Sequence, residues 1–157
     1  MTTEAVHDTK TPDETLAVAK ALAEQQPDCP AYYLEGELGA GKTLFTKGLA
    51  AAYGIDTALV VSPTFALVNR YSGGSRCLYH LDLYRIEKER ELDELGIEEM
   101  EEEGALVVVE WAEKLGRWRR ADATVVHFDV LSESERRLRV EAQPLSSASV
   151  SDETSVS

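Results

Sequence analysis

The chain has 157 residues and a formal net charge of −13, from 29 acidic and 16 basic side chains. That length predicts one domain with a core of its own, and the charge argues against a protein that grips nucleic acid unaided, because it repels phosphate backbones. No run nears the roughly 18 apolar residues of a membrane span. The N-terminus lacks a signal peptide's basic and apolar segments, and Cys29 and Cys77 show no metal-ligand spacing, so a reduced, cytoplasmic setting is expected.

In chain order, residues 1–10 carry no periodic pattern and read as a flexible leader. Thr11-Pro12-Asp13-Glu14 has the form of a capping box, with Thr11 as N-cap, Pro12 at the first helical position and Glu14 at the third. Leu16, Ala19, Leu22 and Ala23 give the helix that follows an apolar stripe, and Gln26-Pro27 ends it. Residues 31–35 form a short apolar strand. Directly after it comes Gly36-x4-Gly41-Lys42-Thr43, the phosphate-binding loop signature. Glycines let such a loop wrap with its N–H groups facing the β-phosphate. The lysine reaches the β and γ oxygens, and the threonine hydroxyl ligates Mg²⁺. A helix over residues 42–53, closed by Gly54, supplies the strand–loop–helix context and adds its positive dipole end.

Beyond Gly54 the pattern changes to a period of two. Residues 65–84 read as a β-hairpin around Ser72-Gly73-Gly74-Ser75, with His80, Asp82 and Tyr84 on one face and Tyr79, Leu81 and Leu83 on the other. Ten of the eighteen residues from 86 to 103 are acidic. This run predicts two short helices broken at Gly96, forming either a solvated face or a docking surface for a basic partner. Ala105 to Glu110 is a continuous apolar run ending in an acid, as expected of a parallel strand covered on both faces. Residues 122–130 and 136–141 make a closing hairpin. The Ser-rich segment 143–157 reads as a disordered tail, leaving a domain over 11–142.

An apolar strand ending in an acid, downstream of a phosphate loop, has the form of a Walker B element. Glu110 would then hold Mg²⁺ opposite Thr43, directly or through water, although aspartate is usual there. Asp82 stands in mid-strand, where β-propensity disfavours aspartate, so it is a candidate for the attacking water, a metal-bound water or a structural partner such as Arg85. His80 is either a hydrogen-bonded structural residue or a base. Thr64 lies where a switch loop would sense the γ-phosphate, or simply starts a strand. Trp111 is a core residue or an aromatic facing a partner. Arg117, Trp118, Arg119 and Arg120 form a basic-aromatic cluster that is either an RNA contact or an exposed helix end, and Arg136 or Arg137 could close over the nucleotide.

Together these elements resemble the TsaE (YjeE) family, the small bacterial ATPases of tRNA threonylcarbamoyladenosine biosynthesis. The resemblance covers residues 11–141. It rests on Gly36-Glu37-Leu38-Gly39-Ala40-Gly41-Lys42-Thr43, Ser62-Pro63-Thr64-Phe65, His80-Leu81-Asp82-Leu83-Tyr84-Arg85, Glu94-Leu95-Gly96 and Val109-Glu110-Trp111. It implies a P-loop α/β fold, with a central, mostly parallel sheet, a β-hairpin and flanking helices. ATP would lie on Gly39, Ala40, Gly41, Lys42, Thr43 and Leu44, with Arg136 near it, Mg²⁺ on Thr43 and Glu110, and Asp82 as the second essential acid. The family works with the TsaB and TsaD subunits on adenosine 37 of tRNAs reading ANN codons. Its hydrolysis resets that complex, while the transfer itself belongs to TsaD, and tRNA is met through the complex. Two alternatives share the loop. A small-molecule kinase would carry an arginine-rich lid where this chain has its acidic segment 86–103, and a GTPase-like switch would carry an N-K-x-D element, which is absent.

Overall fold

The computed structural model describes residues 3–37, 39–63 and 67–142. Seven strands form one sheet: β1 (Thr3–Thr9), β2 (Ala31–Glu35), β3 (Val68–Tyr71), β4 (Leu78–Asp82), β5 (Leu106–Glu110), β6 (Thr124–Val130) and β7 (Arg136–Ala142), in the spatial order β1-β7-β6-β2-β5-β4-β3. The core strands β6, β2, β5 and β4 run parallel, while β3, β7 and β1 are added antiparallel. This is the α/β architecture expected, with a mostly parallel centre.

The two faces of the centre are covered differently. Helices α1 (Pro12–Gln25) and α2 (Lys42–Ala52) pack on one, where Ala19, Phe45 and Leu49 meet Leu34, Val108 and Phe128. On the other, Leu92, Ile97 and Met100 from the acidic segment cover Tyr33, Leu81, Val107 and Val109. Burial on both sides is why β5 reads as an unbroken apolar run rather than an alternation.

Local signals account for most element ends. The Thr11 side chain accepts from the Glu14 backbone N–H, while the Glu14 carboxylate accepts from Lys10 N. Gly54 takes φ +80° beyond the end of α2, a left-handed turn that glycine adopts without a Cβ clash. At Gly48 the helices approach so closely that an added Cβ would stand 2.6 Å from the Ala19 Cβ. The acidic segment contains a 3₁₀ helix over Glu89–Glu94 and α3 (Ile97–Glu102), divided at Gly96 as expected.

Two expectations need correction. Residues 3–9 are not a loose leader: they form β1, paired along its whole length with β7. All but Thr9 are exposed, so no burial pattern marks this edge strand, and backbone hydrogen bonds to β7 hold it. The domain therefore begins before residue 11. The hairpin is also shorter than 65–84. β4 stops at Asp82, so Tyr84 leaves the His80 and Asp82 face and stacks on Trp111 with ring centroids 5.1 Å apart. The acidic run is a largely solvated face, one of the two readings offered for it, with eight of its ten acids exposed. Asp93 pairs with Arg117 at 2.7 Å and accepts from Trp118 Nε1, Glu89 accepts from Arg117 N, and Glu101 pairs with Arg120. Three of its acids thus meet the basic-aromatic cluster of the same chain. The expected tail, 143–157, lies outside the described residues.

Candidate functional site

The parallel strands end together at one edge of the sheet. Leu34 of β2 pairs with Glu110 of β5, and Glu110 pairs with Asp82 of β4, so the phosphate loop and both acids emerge side by side. Ligands of open parallel sheets bind at this carboxyl edge. The loop turns on Gly39 at φ +80° and Gly41 at φ +106°, and Gly41 caps α2 without any side-chain hydrogen bond. The first N–H groups of α2 are therefore not satisfied by a capping side chain and, with the helix dipole, suit an anion. Gly36, at φ +155°, lies where a Cβ would come within 2.9 Å of the Phe128 Cβ, so a glycine is required there too.

Lys42 is 4% exposed. Its Nζ donates to Gly36 O at 2.6 Å and lies 4.2 Å from the centre of the Trp111 ring. Burial pulls this ammonium below the ordinary lysine value, against the opposing pull of Glu110, Asp82 and Glu113. Thr43 Oγ1 donates to Glu110 Oε2 at 3.3 Å, which brings both expected metal ligands to one point. Two hard oxygen donors suit Mg²⁺, which prefers oxygen ligands and keeps several of its waters. The same Glu110 oxygen lies 2.6 Å from His80 Nε2, and His80 is fully buried. His80 therefore stands in the structural, hydrogen-bonded role.

Asp82 is 5% exposed, and its Oδ1 accepts from Tyr84 N at 3.0 Å. Burial raises its carboxyl above the ordinary 3.8, with the nearby Glu110 adding to the rise, while the Tyr84 hydrogen bond, His80 and Lys42 oppose it. Trp111 takes a left-handed conformation at φ +62°, which turns its ring over Lys42 and against Tyr84. Arg136 grips the outside of the phosphate loop: Nε donates to Ala40 O at 3.2 Å and Nη2 to Gly39 O at 3.1 Å. In a trans peptide the N–H points opposite its carbonyl, so this grip turns the Ala40 and Gly41 N–H groups away from Arg136. Arg137 instead pairs with Asp8 across the β7–β1 ladder. Leu44 lies in the first turn of α2, and Thr64 lies outside the described residues.

The sequence reading missed Glu35, the residue before the loop. Its carboxylate takes Arg119 at 3.1 Å and His127 Nδ1 at 3.1 Å, tying the loop's entry to the basic cluster and to β6. An acid closing an apolar strand was the available signal, but its partners lie 84 and 92 residues on and no local pattern connects them.

Comparison with known proteins places the chain in a family. The family model described as Threonylcarbamoyl adenosine biosynthesis protein TsaE matches residues 9–139. The chain belongs to the TsaE family. A tRNA threonylcarbamoyladenosine biosynthesis protein TsaE of Bacillus subtilis is 46% identical over 104 residues, which span 66% of this chain and 64% of that one. The TsaE of Rickettsia felis is 35% identical over 124 residues, spanning 79% of this chain and 72% of that one. Among solved structures, YdiB of Bacillus subtilis superposes with a TM-score of 0.75 at 29% identity, covering 98% of this chain and 95% of the other. Among the described residues no helix is long and apolar enough to cross a membrane.

Proposed function

We propose that this TsaE-family chain binds and hydrolyses Mg-ATP and acts with TsaB and TsaD subunits in forming N6-threonylcarbamoyladenosine at position 37 of tRNAs reading ANN codons. The observation that carries the reading is the meeting of Thr43 and Glu110 oxygens 3.3 Å apart at the mouth of the phosphate-loop helix. Thr43 and Glu110 would hold Mg²⁺ there, where it would supply positive charge against the charge that develops during transfer. Lys42 exchanges Gly36 O for the β and γ oxygens, and the Gly41 N–H, turned from Arg136, faces the phosphates, while the Ala40 N–H closes the loop on Glu37 O at 3.2 Å. Asp82, held by the Tyr84 N–H, orients the attacking water. These groups work by position and charge, and phosphoryl transfer asks little else of a protein.

RNA contact through the other subunits follows from charge. At −13 the chain repels a phosphate backbone, and the Arg117, Arg119 and Arg120 side chains already face Asp93, Glu35, Glu101 and Asp122. The test is reconstitution. ATP hydrolysis by the lone chain is expected to be slow, to prefer ATP over GTP, and to rise on adding TsaB and TsaD. Threonylcarbamoyladenosine formation should require all three together. A rate unmoved by saturating partners, or tight tRNA binding by the lone chain at physiological salt, would overturn the reading.

A further inference from the structure

We infer that His80 is a positioning residue for the metal site: by donating from Nε2 to Glu110 Oε2 it sets the carboxylate that faces Thr43, and it is the reason a glutamate works at position 110. The inference rests on the proposed metal role of Glu110 and deepens it.

The sheet register supplies the geometry. Asp82 pairs directly with Glu110, while His80 pairs with Val108, so His80 and Glu110 are diagonal neighbours on one face of parallel strands. Diagonal neighbours are too far apart for short side chains but within reach of long ones. Glutamate and imidazole together close the gap to 2.6 Å. From the other side Thr43 Oγ1 reaches the same Oε2 at 3.3 Å, so one oxygen is addressed by two elements, β4 and α2. An aspartate would end one methylene short and could not meet both.

Burial makes the contact matter. His80 is 0% exposed and Glu110 5%, so neither side chain has bulk water as an alternative partner. His80 Nδ1, also buried, has no hydrogen-bond partner among the described residues, and the Glu110 contact is the polar contact that holds the ring. A histidine kept for packing alone would be replaced by an apolar side chain at no polar cost. One that orients a metal-binding carboxylate acts as outer partners of metal ligands do, where removal typically costs about 10–100-fold in metal affinity.

The experiment compares ADP affinity in Mg²⁺ with ADP affinity in EDTA, by calorimetry, and reads the ratio as the metal's contribution. His80→Gln carries an amide N–H near the Nε2 position, whereas His80→Asn is too short to reach Glu110. Both are polar and similar in burial. His80→Gln should keep the ratio, and His80→Asn should lower it about tenfold with affinity in EDTA unchanged, which also reports an intact loop. His80→Asn added to Glu110→Gln should cause no further loss. Glu110→Asp, which leaves His80 untouched, should lower the ratio as well. An unchanged ratio in His80→Asn, or an equal loss in both His80 variants, would overturn the role of His80 while leaving Glu110 as the ligand. An unchanged ratio in Glu110→Gln would instead overturn the metal role of Glu110, and this inference with it.

Discussion

The parallel centre of the sheet and its antiparallel wing handle charge in opposite ways. At the carboxyl edge of β2, β5 and β4 the residues Lys42, His80, Asp82 and Glu110 are all 5% exposed or less. In the wing, Arg137 pairs with Asp8 and Arg139 with Asp129 across β1, β7 and β6, with side chains 45–51% exposed. Buried charges are costly unless closely matched, whereas exposed pairs are cheap and contribute little. The difference teaches where stability is given up. Burial pushes the Lys42 ammonium down and the Asp82 carboxyl up, so both groups are held against their preferred charge state. Such a cluster persists where a ligand supplies the missing partner.

The comparison breaks most sharply at Lys42. Lys42→Ala removes the buried cation from the loop, and ATP binding should fall below detection by calorimetry while the fold persists. Near-native affinity would place the phosphates elsewhere. Next in size is the packing beneath the loop. Gly48→Ala forces a methyl against Ala19 and the Leu16 carbonyl, and chemical denaturation should show a loss of about 1–3 kcal/mol. No loss would mean that α1 and α2 separate freely.

Asp82 tests the sign of the comparison. Its folded carboxyl lies above the ordinary 3.8, so the protonated form is favoured in the native state. That contribution is present below the unfolded value and is lost as pH rises through the folded one, so at neutral pH the carboxylate costs stability. Asp82→Asn should therefore raise the neutral-pH melting temperature by about 2 °C or more, with the gain vanishing below about pH 4, while ATP turnover collapses and nucleotide binding survives. A lower melting temperature at neutral pH would show that the carboxylate is stabilised where it lies. The smallest effect belongs to the wing. Arg139→Ala should change stability by no more than about 1 kcal/mol and leave ADP affinity alone. A larger loss would mean that the exposed ladder holds the edge of the domain.

Much of the site was legible because its signals are local. Gly36 to Thr43 is a contiguous motif, and the glycines, lysine and threonine needed for the loop stand at a fixed spacing along one turn of chain. Strand β5 announced itself by continuous apolarity, since burial on two faces leaves no polar alternation. The Thr11 cap and the Gly54 turn were readable for the same reason, because each is decided by the residue itself and its immediate neighbours. The sequence alone thus determined the phosphate loop, the strand that bears Glu110 and the α/β class.

Tertiary structure decided what depends on distant partners. Strand β1 has almost no buried face, so its existence rests on hydrogen bonds to β7, more than a hundred residues away. The acidic run and the arginine cluster each look like exposed charge in isolation, and folding brings them together. His80 could be placed on a strand from its spacing, but its contact with Glu110 depends on the register between β4 and β5. Arg136 was singled out from the sequence, yet only folding shows that it grips the loop by its carbonyls. Side-chain type and spacing act along the chain, whereas register and burial arise only when separate segments meet.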